Sequence, residues 1–342
     1  MPLRPLYGHD PLRHRLGGAI ASGRLPQALL FEGPRGVGKQ RLALWLAQSL
    51  VCGARSESGD GCGVCQPCRL VLNLSHPDVH WLVPVELGQR AADPDKQVEQ
   101  VGEALAEEMA ARREQPLYQA PSGLANHGIA SVRLLARQLR LTPALARVKV
   151  FIIGDAERLV PQRANPEAAN ALLKALEEPP ADTVFVLTSS DPEALLPTIL
   201  SRVVRVRVAR VPFSVVTQFA QRELGITGQG ELQQRVTASE GSIGRLLATE
   251  TAGPAGVMAE AVLKANSPVE KYRLALAQQP FQARGGFTAL LDELLARLRT
   301  QARAGGDTGA VVNAMARVLD ARDQAQGNVN PQLLTAVLSE DL

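Results

Sequence analysis

At 342 residues the chain exceeds one ordinary domain, and at ~150 residues per domain it predicts two or three. Hydrophobic residues make up 45% and charged ones 21%, which excludes wholesale disorder; 37 basic against 34 acidic residues leave a formal net charge of +3, which excludes a histone-like protein but not a local basic surface. Aromatics are scarce at 4% while Leu and Ala abound, so helix-rich packing is favoured over a β-sandwich. No apolar run approaches the ~18 residues that span a membrane, and Met1 to Asp10 lacks the apolar core of a signal peptide. A cytoplasmic location, where thiols stay reduced, is the expectation.

The first readable element is a short buried strand, Ala28-Leu29-Leu30-Phe31, which runs into Gly33-Pro34-Arg35-Gly36-Val37-Gly38-Lys39-Gln40. Leu42, Trp45, Leu46 and Ser49 follow at helical spacing. Strand, glycine-rich turn and helix are the context of a phosphate loop, whose backbone N–H groups and helix N-terminus cradle phosphates while Lys39 reaches the terminal ones. Gly33, Gly36, Gly38 and Lys39 match; Gln40 stands where Ser or Thr offers a hydroxyl to magnesium. A mere tight strand–helix turn explains Gly36 and Gly38 but not the whole pattern.

All four cysteines fall in one window, Cys52, Cys62, Cys65 and Cys68. Cysteines three apart on a tight turn aim their sulfurs at one point, and a fourth from the preceding segment completes a tetrahedron. Four thiolates leave no open position, so the expected ion is a closed, structural zinc. Disulfides are disfavoured in a reducing compartment. His76 and His80 lie near enough to substitute, but four thiols suffice, which leaves the histidines to packing or surface roles.

Asp155 follows Lys39 by 155 − 39 = 116 positions, too many for a bare core, so this interval holds insertions. Val98, Val101, Leu105 and Met109 recur at helical spacing within it. Val148 to Ile153 is the next buried strand, ending in Gly154-Asp155-Ala156-Glu157. A full nucleotide site ends this strand in Asp-Glu; here glycine holds the first acidic position and Asp155 the second, a register that the strand length favours over one with Asp155 as the metal-side acid. With both magnesium-side contacts absent or altered, hydrolysis at this site is expected to be very slow. Binding of ATP through the loop amides and Lys39 stays open.

Ala168 to Glu178 reads as an amphipathic helix with Leu172, Leu173 and Leu176 on one face, stopped by Pro179-Pro180. Thr183 to Thr188 is another strand, and the hydroxyls of Ser189-Ser190 at its end suit a phosphate region. Val203 to Val208 alternates Val and Arg, so Arg205 and Arg207 are either a solvated face or support for nucleic-acid phosphates. Arg202, with Ser201, sits at a helix–strand junction from which a guanidinium can project: an arginine finger in trans or a plain surface salt bridge.

Pro212 begins a smaller helical region to about Asn266, punctuated by glycines. From Ser267 the chain is again helical, with one stripe of Phe287, Leu290, Leu291, Leu294 and Leu298 and another of Val311, Val312, Met315, Val318 and Leu319. A last helix carries Leu333, Leu334 and Val337.

Ala168-Ala169-Asn170-Ala171-Leu172-Leu173-Lys174-Ala175-Leu176-Glu177-Glu178-Pro179-Pro180 resembles the signature of bacterial clamp-loader subunits of the AAA+ ATPase family. The cysteine module, Ser75-His76-Pro77-Asp78 with Val79-His80-Trp81, and Pro197-Thr198-Ile199-Leu200-Ser201-Arg202 resemble segments of the same family, and among its members the delta-prime type, which keeps the fold with a degraded nucleotide site. That resemblance implies an α/β AAA+ domain of the phosphate-loop type over residues 1–209, carrying a zinc module at 52–68 and an insertion at about 86–127. An all-α lid at 210–266 and an all-α collar for oligomerisation at 267–342 follow. It implies a stator that contributes Arg202, with Ser201, as a finger to a neighbouring tau/gamma motor subunit of the DNA polymerase III holoenzyme, a nucleotidyltransferase complex. Further implied partners are the delta subunit, the sliding clamp and primer-template DNA, with no membrane. The motor subunits carry an arginine shortly after Gly-Ser in the lid; here Gly241-Ser242-Ile243-Gly244-Arg245 places it late by that pattern. Extra residues also fall around Val160–Ala164. The alternatives are a clamp-loader subunit that hydrolyses ATP itself and a zinc-dependent nucleic-acid reader, for which the segment is poor in basic residues.

Overall fold

The computed structural model of the protein describes residues 5–56, 58–87, 91–114, 125–159, 167–248, 254–278, 284–303, 308–325 and 329–341. The extra stretch at Val160–Ala164 and parts of the 86–127 insertion (88–90 and 115–124) lie outside the described residues. Chain contacts group residues 5–248 into one compact unit and residues 254–341 into another. No helix among the described residues is long and apolar enough to cross a membrane.

The first unit is built on five parallel strands, β1 (Ala28–Glu32), β2 (Val79–Leu82), β3 (Lys149–Ile153), β4 (Thr183–Ser189) and β5 (Val204–Arg207), in the spatial order β2-β3-β4-β1-β5. A parallel sheet needs crossovers that cover both faces, and its central strands then read as unbroken apolar runs. The period-two side chains divide accordingly. Leu30, Phe151, Ile153, Phe185 and Leu187 point to one face, against α5 (Ile129–Leu139), α6 (Glu167–Glu177) and the short α7 (Pro197–Leu200). Leu29, Phe31, Val150, Ile152, Val184 and Val186 point to the other, against α1 (Asp10–Ala21) and α2 (Lys39–Val51). Leu172 and Leu176 of the signature helix are buried, whereas Leu173 only borders the core.

The cysteine window leads into α3 (Gln66–Leu72), and the amphipathic segment beyond β2 is α4 (Pro94–Glu114), which buries Val98 and Val101 against Ala130. After β5, α8 (Phe213–Glu223), α9 (Gln229–Ser239) and α10 (Ile243–Ala248) form a small cluster around Val216, Phe219 and Leu246, within the same unit as the sheet. Tyr7 joins that cluster, edge-on to Phe219 at 5.2 Å.

Among its described residues the second unit holds helices and no strand: α11 (Pro254–Lys264), α12 (Pro268–Leu276), α13 (Arg284–Arg303), α14 (Thr308–Ala325) and α15 (Pro331–Asp341). Ser267 caps α12 by accepting from the N–H of Glu270. Phe287, Leu290, Leu291, Leu294 and Leu298 form its core with Val318 and Leu334. The second stripe divides: Val311 and Met315 border this core, but Val312 and Leu319 are exposed. Val312 and Leu319 each follow an inward residue by one position, about 100° round the helix, which carries them off the buried face.

Candidate functional site

β4 lies between β1 and β3, so the loops that leave these three strands meet beyond the carboxyl ends of the sheet, where open α/β sheets place their ligand sites. The glycine-rich loop leaves β1 there. Gly38 takes φ 100° as the cap of α2, and Lys39 opens the helix. Lys39 is almost fully buried; its Nζ donates to the carbonyls of Gly33 (2.9 Å) and Pro34 (2.8 Å) and to Ser190 Oγ (2.9 Å). Burial, above all, pulls its pKa down to about 8. The hydroxyl at the end of β4 therefore meets the loop lysine directly.

Gln40 and Asp155 are also brought together. Gln40 Nε2 donates to Asp155 Oδ2 at 3.0 Å, and Gln40 Oε1 is buried with no partner among the described residues. Asp155 has φ 48°, and its N–H donates to Thr188 Oγ1. Two neighbours of this site carry no assigned role in the sequence reading. His127, the last residue of the 86–127 segment, is buried, and its Nε2 lies 2.7 Å from the carbonyl oxygen of Gly154. Glu157 accepts from the N–H of Ser190, and burial followed by the charge of Asp155 raises its pKa.

The histidines give a pH prediction. Burial holds His127 and His80, which stacks on Phe151, at about 4. In the unfolded chain both titrate near ~6.5. Their contribution is complete above that pH and is lost as pH falls from ~6.5 to about 4, at ~1.4 kcal/mol per pH unit each. Glu157 acts oppositely, since its raised pKa contributes stability that is lost as pH rises. Melting curves should therefore show Tm falling through this acid window, and His127→Gln should flatten the slope. An unchanged slope would mean that His127 is protonated in the native state.

The α8–α10 cluster closes on the loop. Gly244 N–H donates to Gly36 O at 2.8 Å and Ser242 Oγ to Arg35 O at 3.0 Å. The approach requires glycine on both sides: a Cβ at Gly244 would lie 2.6 Å from Gly36 Cα. Arg245, which follows Gly241-Ser242 in this cluster, pairs with Glu240 at 2.5 Å. His9, from the segment before α1, reaches Val37 O at 2.7 Å.

The four cysteines are brought together, unbridged, with all four Sγ atoms within 4.8 Å of one another. Cys52 and Cys65 are 3.9 Å apart and Cys62 and Cys68 4.0 Å. A tetrahedron of thiolates at ~2.3 Å from zinc has edges of ~3.8 Å, so the four could hold such a metal. The N–H of Cys65 donates to Cys62 Sγ, and backbone donors from Cys65 and Val64 pull the Cys62 pKa down to about 6. Asp60 ties the segment to the helices behind it, accepting from Arg13 (2.5 Å) and Trp45 Nε1 (2.7 Å). His76 is buried, its Nδ1 accepting from the Asp78 N–H.

Arg202 lies at the end of α7. Its guanidinium pairs with Glu177 of α6 at 2.6 Å and donates to Thr198 O and Ser201 Oγ, with the side chain one-third exposed. Glu177 is the partner that sequence reasoning missed. Arg205 pairs with Glu32, and Arg207 is exposed on β5.

The sequence model of the family described as DNA polymerase III, delta subunit matches residues 8–212. The chain belongs to this family. Within the DNA polymerase III subunits, delta' of Pseudomonas aeruginosa is 35% identical over 178 residues, 52% of this chain and 42% of that protein. Delta' of Escherichia coli is 30% identical over 234 residues, 68% of this chain and 57% of that protein. Subunit gamma/tau of Mycobacterium tuberculosis is 31% identical over 198 residues, 58% and 27%. The chain thus spans less than two thirds of the length of each of these DNA polymerase III relatives.

Proposed function

We propose that the chain is a delta-prime-type clamp-loader subunit in DNA replication: a largely non-hydrolysing stator of the DNA polymerase III holoenzyme, working in the cytoplasm. In this reading residues 1–209, 210–266 and 267–342 are the AAA+ domain, lid and collar, with α11 at the end of the lid range packed in the core of the collar helices. The partners are tau/gamma and delta, with the sliding clamp and primer-template DNA engaged through the assembled complex. Cys52, Cys62, Cys65 and Cys68 hold a structural zinc. Gly33, Gly36, Gly38, Lys39, Gln40 and Asp155 are a degenerate nucleotide site, and Arg202, oriented by Ser201, is the finger offered to a motor subunit.

The observation that carries this reading is a contrast. The cation side of the chain's own loop is filled by the Gln40 amide against Asp155, whereas Arg202 stands partly exposed with only surface partners. Releasing it from Glu177 costs about 0–1 kcal/mol, the usual worth of an exposed ion pair. Reconstitution with Arg202→Ala tests the reading. The second reading, an ATPase in its own right, is favoured by Lys39, which retains its place beside Ser190.

A further inference from the structure

We infer that Gln40 and Gly154 are one interlocked unit, in which a side-chain amide takes the place that a divalent cation holds beside a phosphate loop, so that nucleotide binding to this chain gains nothing from magnesium. The inference rests on the phosphate-loop reading and is independent of Arg202.

A Cβ built on Gly154 would lie 3.0 Å from Gln40 Cδ, 3.0 Å from Nε2 and 3.0 Å from Oε1. Equal separations from all three atoms mean that the amide lies flat over the glycine, in the volume a side chain at 154 would enter. The amide is not free to swing away: Gln40 is only 9% exposed, and its Nε2 is bonded to Asp155. Two departures 154 − 40 = 114 residues apart are therefore a single packing event. Magnesium requires near-octahedral oxygen ligands and retains several waters. The group turned toward Asp155 is instead an N–H donor, which satisfies that carboxylate as a neutral dipole and is no ligand; the amide oxygen is buried without a partner among the described residues, and bringing it to an ion shared with Asp155 would break the Nε2–Oδ2 bond. The ion does not fit the residues present. Restoring an acid at 154 alone drives the amide out, and restoring a hydroxyl at 40 alone leaves the first acid missing.

The test uses the full-length chain in a thermal double-mutant cycle and ADP titrations with and without magnesium. Gly154→Ala should lower Tm by about 3–8 °C in the native background, as overpacking does, and by clearly less alongside Gln40→Thr. In the native chain magnesium should change ADP affinity less than twofold. Only Gln40→Thr/Gly154→Asp should gain at least tenfold with the ion. Equal Tm losses in the two backgrounds overturn the interlock. Tenfold tighter ADP binding by the native chain in magnesium, or a double variant indifferent to it, overturns the assignment of the cation's place. An Arg202 defect in assembled complexes reads out separately and leaves these results untouched.

Discussion

Replacing Arg202 by alanine is expected to lower ATP hydrolysis at the facing motor site by about 10³-fold or more, with the complex still assembled. A finger acts on charge that develops only in the transition state, so its loss appears in the rate far more than in nucleotide affinity. The chain itself should remain as stable as before. Arg202 forfeits an exposed pair with Glu177 and two surface hydrogen bonds, which together are small against the stability of a domain. Single-turnover hydrolysis, in complexes whose other motor loops carry a lysine substitution, isolates the site concerned. Arg202→Lys should recover only part of the rate, because a point charge lacks the planar fork of the guanidinium. Full activity with alanine would reduce Arg202 to the surface salt bridge.

The second large effect concerns the cysteines. Native protein should carry one zinc per chain by elemental analysis, and Cys68→Ser should lose it. Cys68 is fully buried and Cys52 nearly so, and removing either leaves three thiols to compete with water for the ion. Apparent zinc binding in small structural sites is worth about 10–16 kcal/mol, which becomes folding free energy where the segment has no apolar core of its own. Proteolysis within residues 52–68 should accelerate sharply in the variant or after chelation. The sheet should persist, since its two cores do not draw on the module. A metal-free native chain with the same protection would contradict the zinc reading.

The buried strands were legible because a strand covered on both faces is an unbroken apolar run bounded by turn residues. β1, β3 and β4 meet that condition. β2 does not: Val79, His80 and Trp81 are only half-buried, and the segment reads as a motif rather than a strand. The glycine-rich loop and the cysteines were equally readable, since their chemistry depends on spacing within a few positions. What stayed hidden depends on contacts between distant residues. Glu177 on Arg202, Gly244 on Gly36 and His127 beneath Gly154 leave no local period or spacing. Gln40 and Gly154 were each visible as a departure, but read as independent losses; only the fold lays one upon the other.

The central claim is that this chain has no productive magnesium-side chemistry of its own and acts on a neighbour's nucleotide. Its most direct test is DNA-stimulated ATP hydrolysis by the purified chain alone, compared with a Lys39→Ala variant. The account predicts background turnover from both proteins, with no difference between them. Turnover by the native chain at a rate typical of ATPases, abolished by the Lys39 substitution, would contradict it.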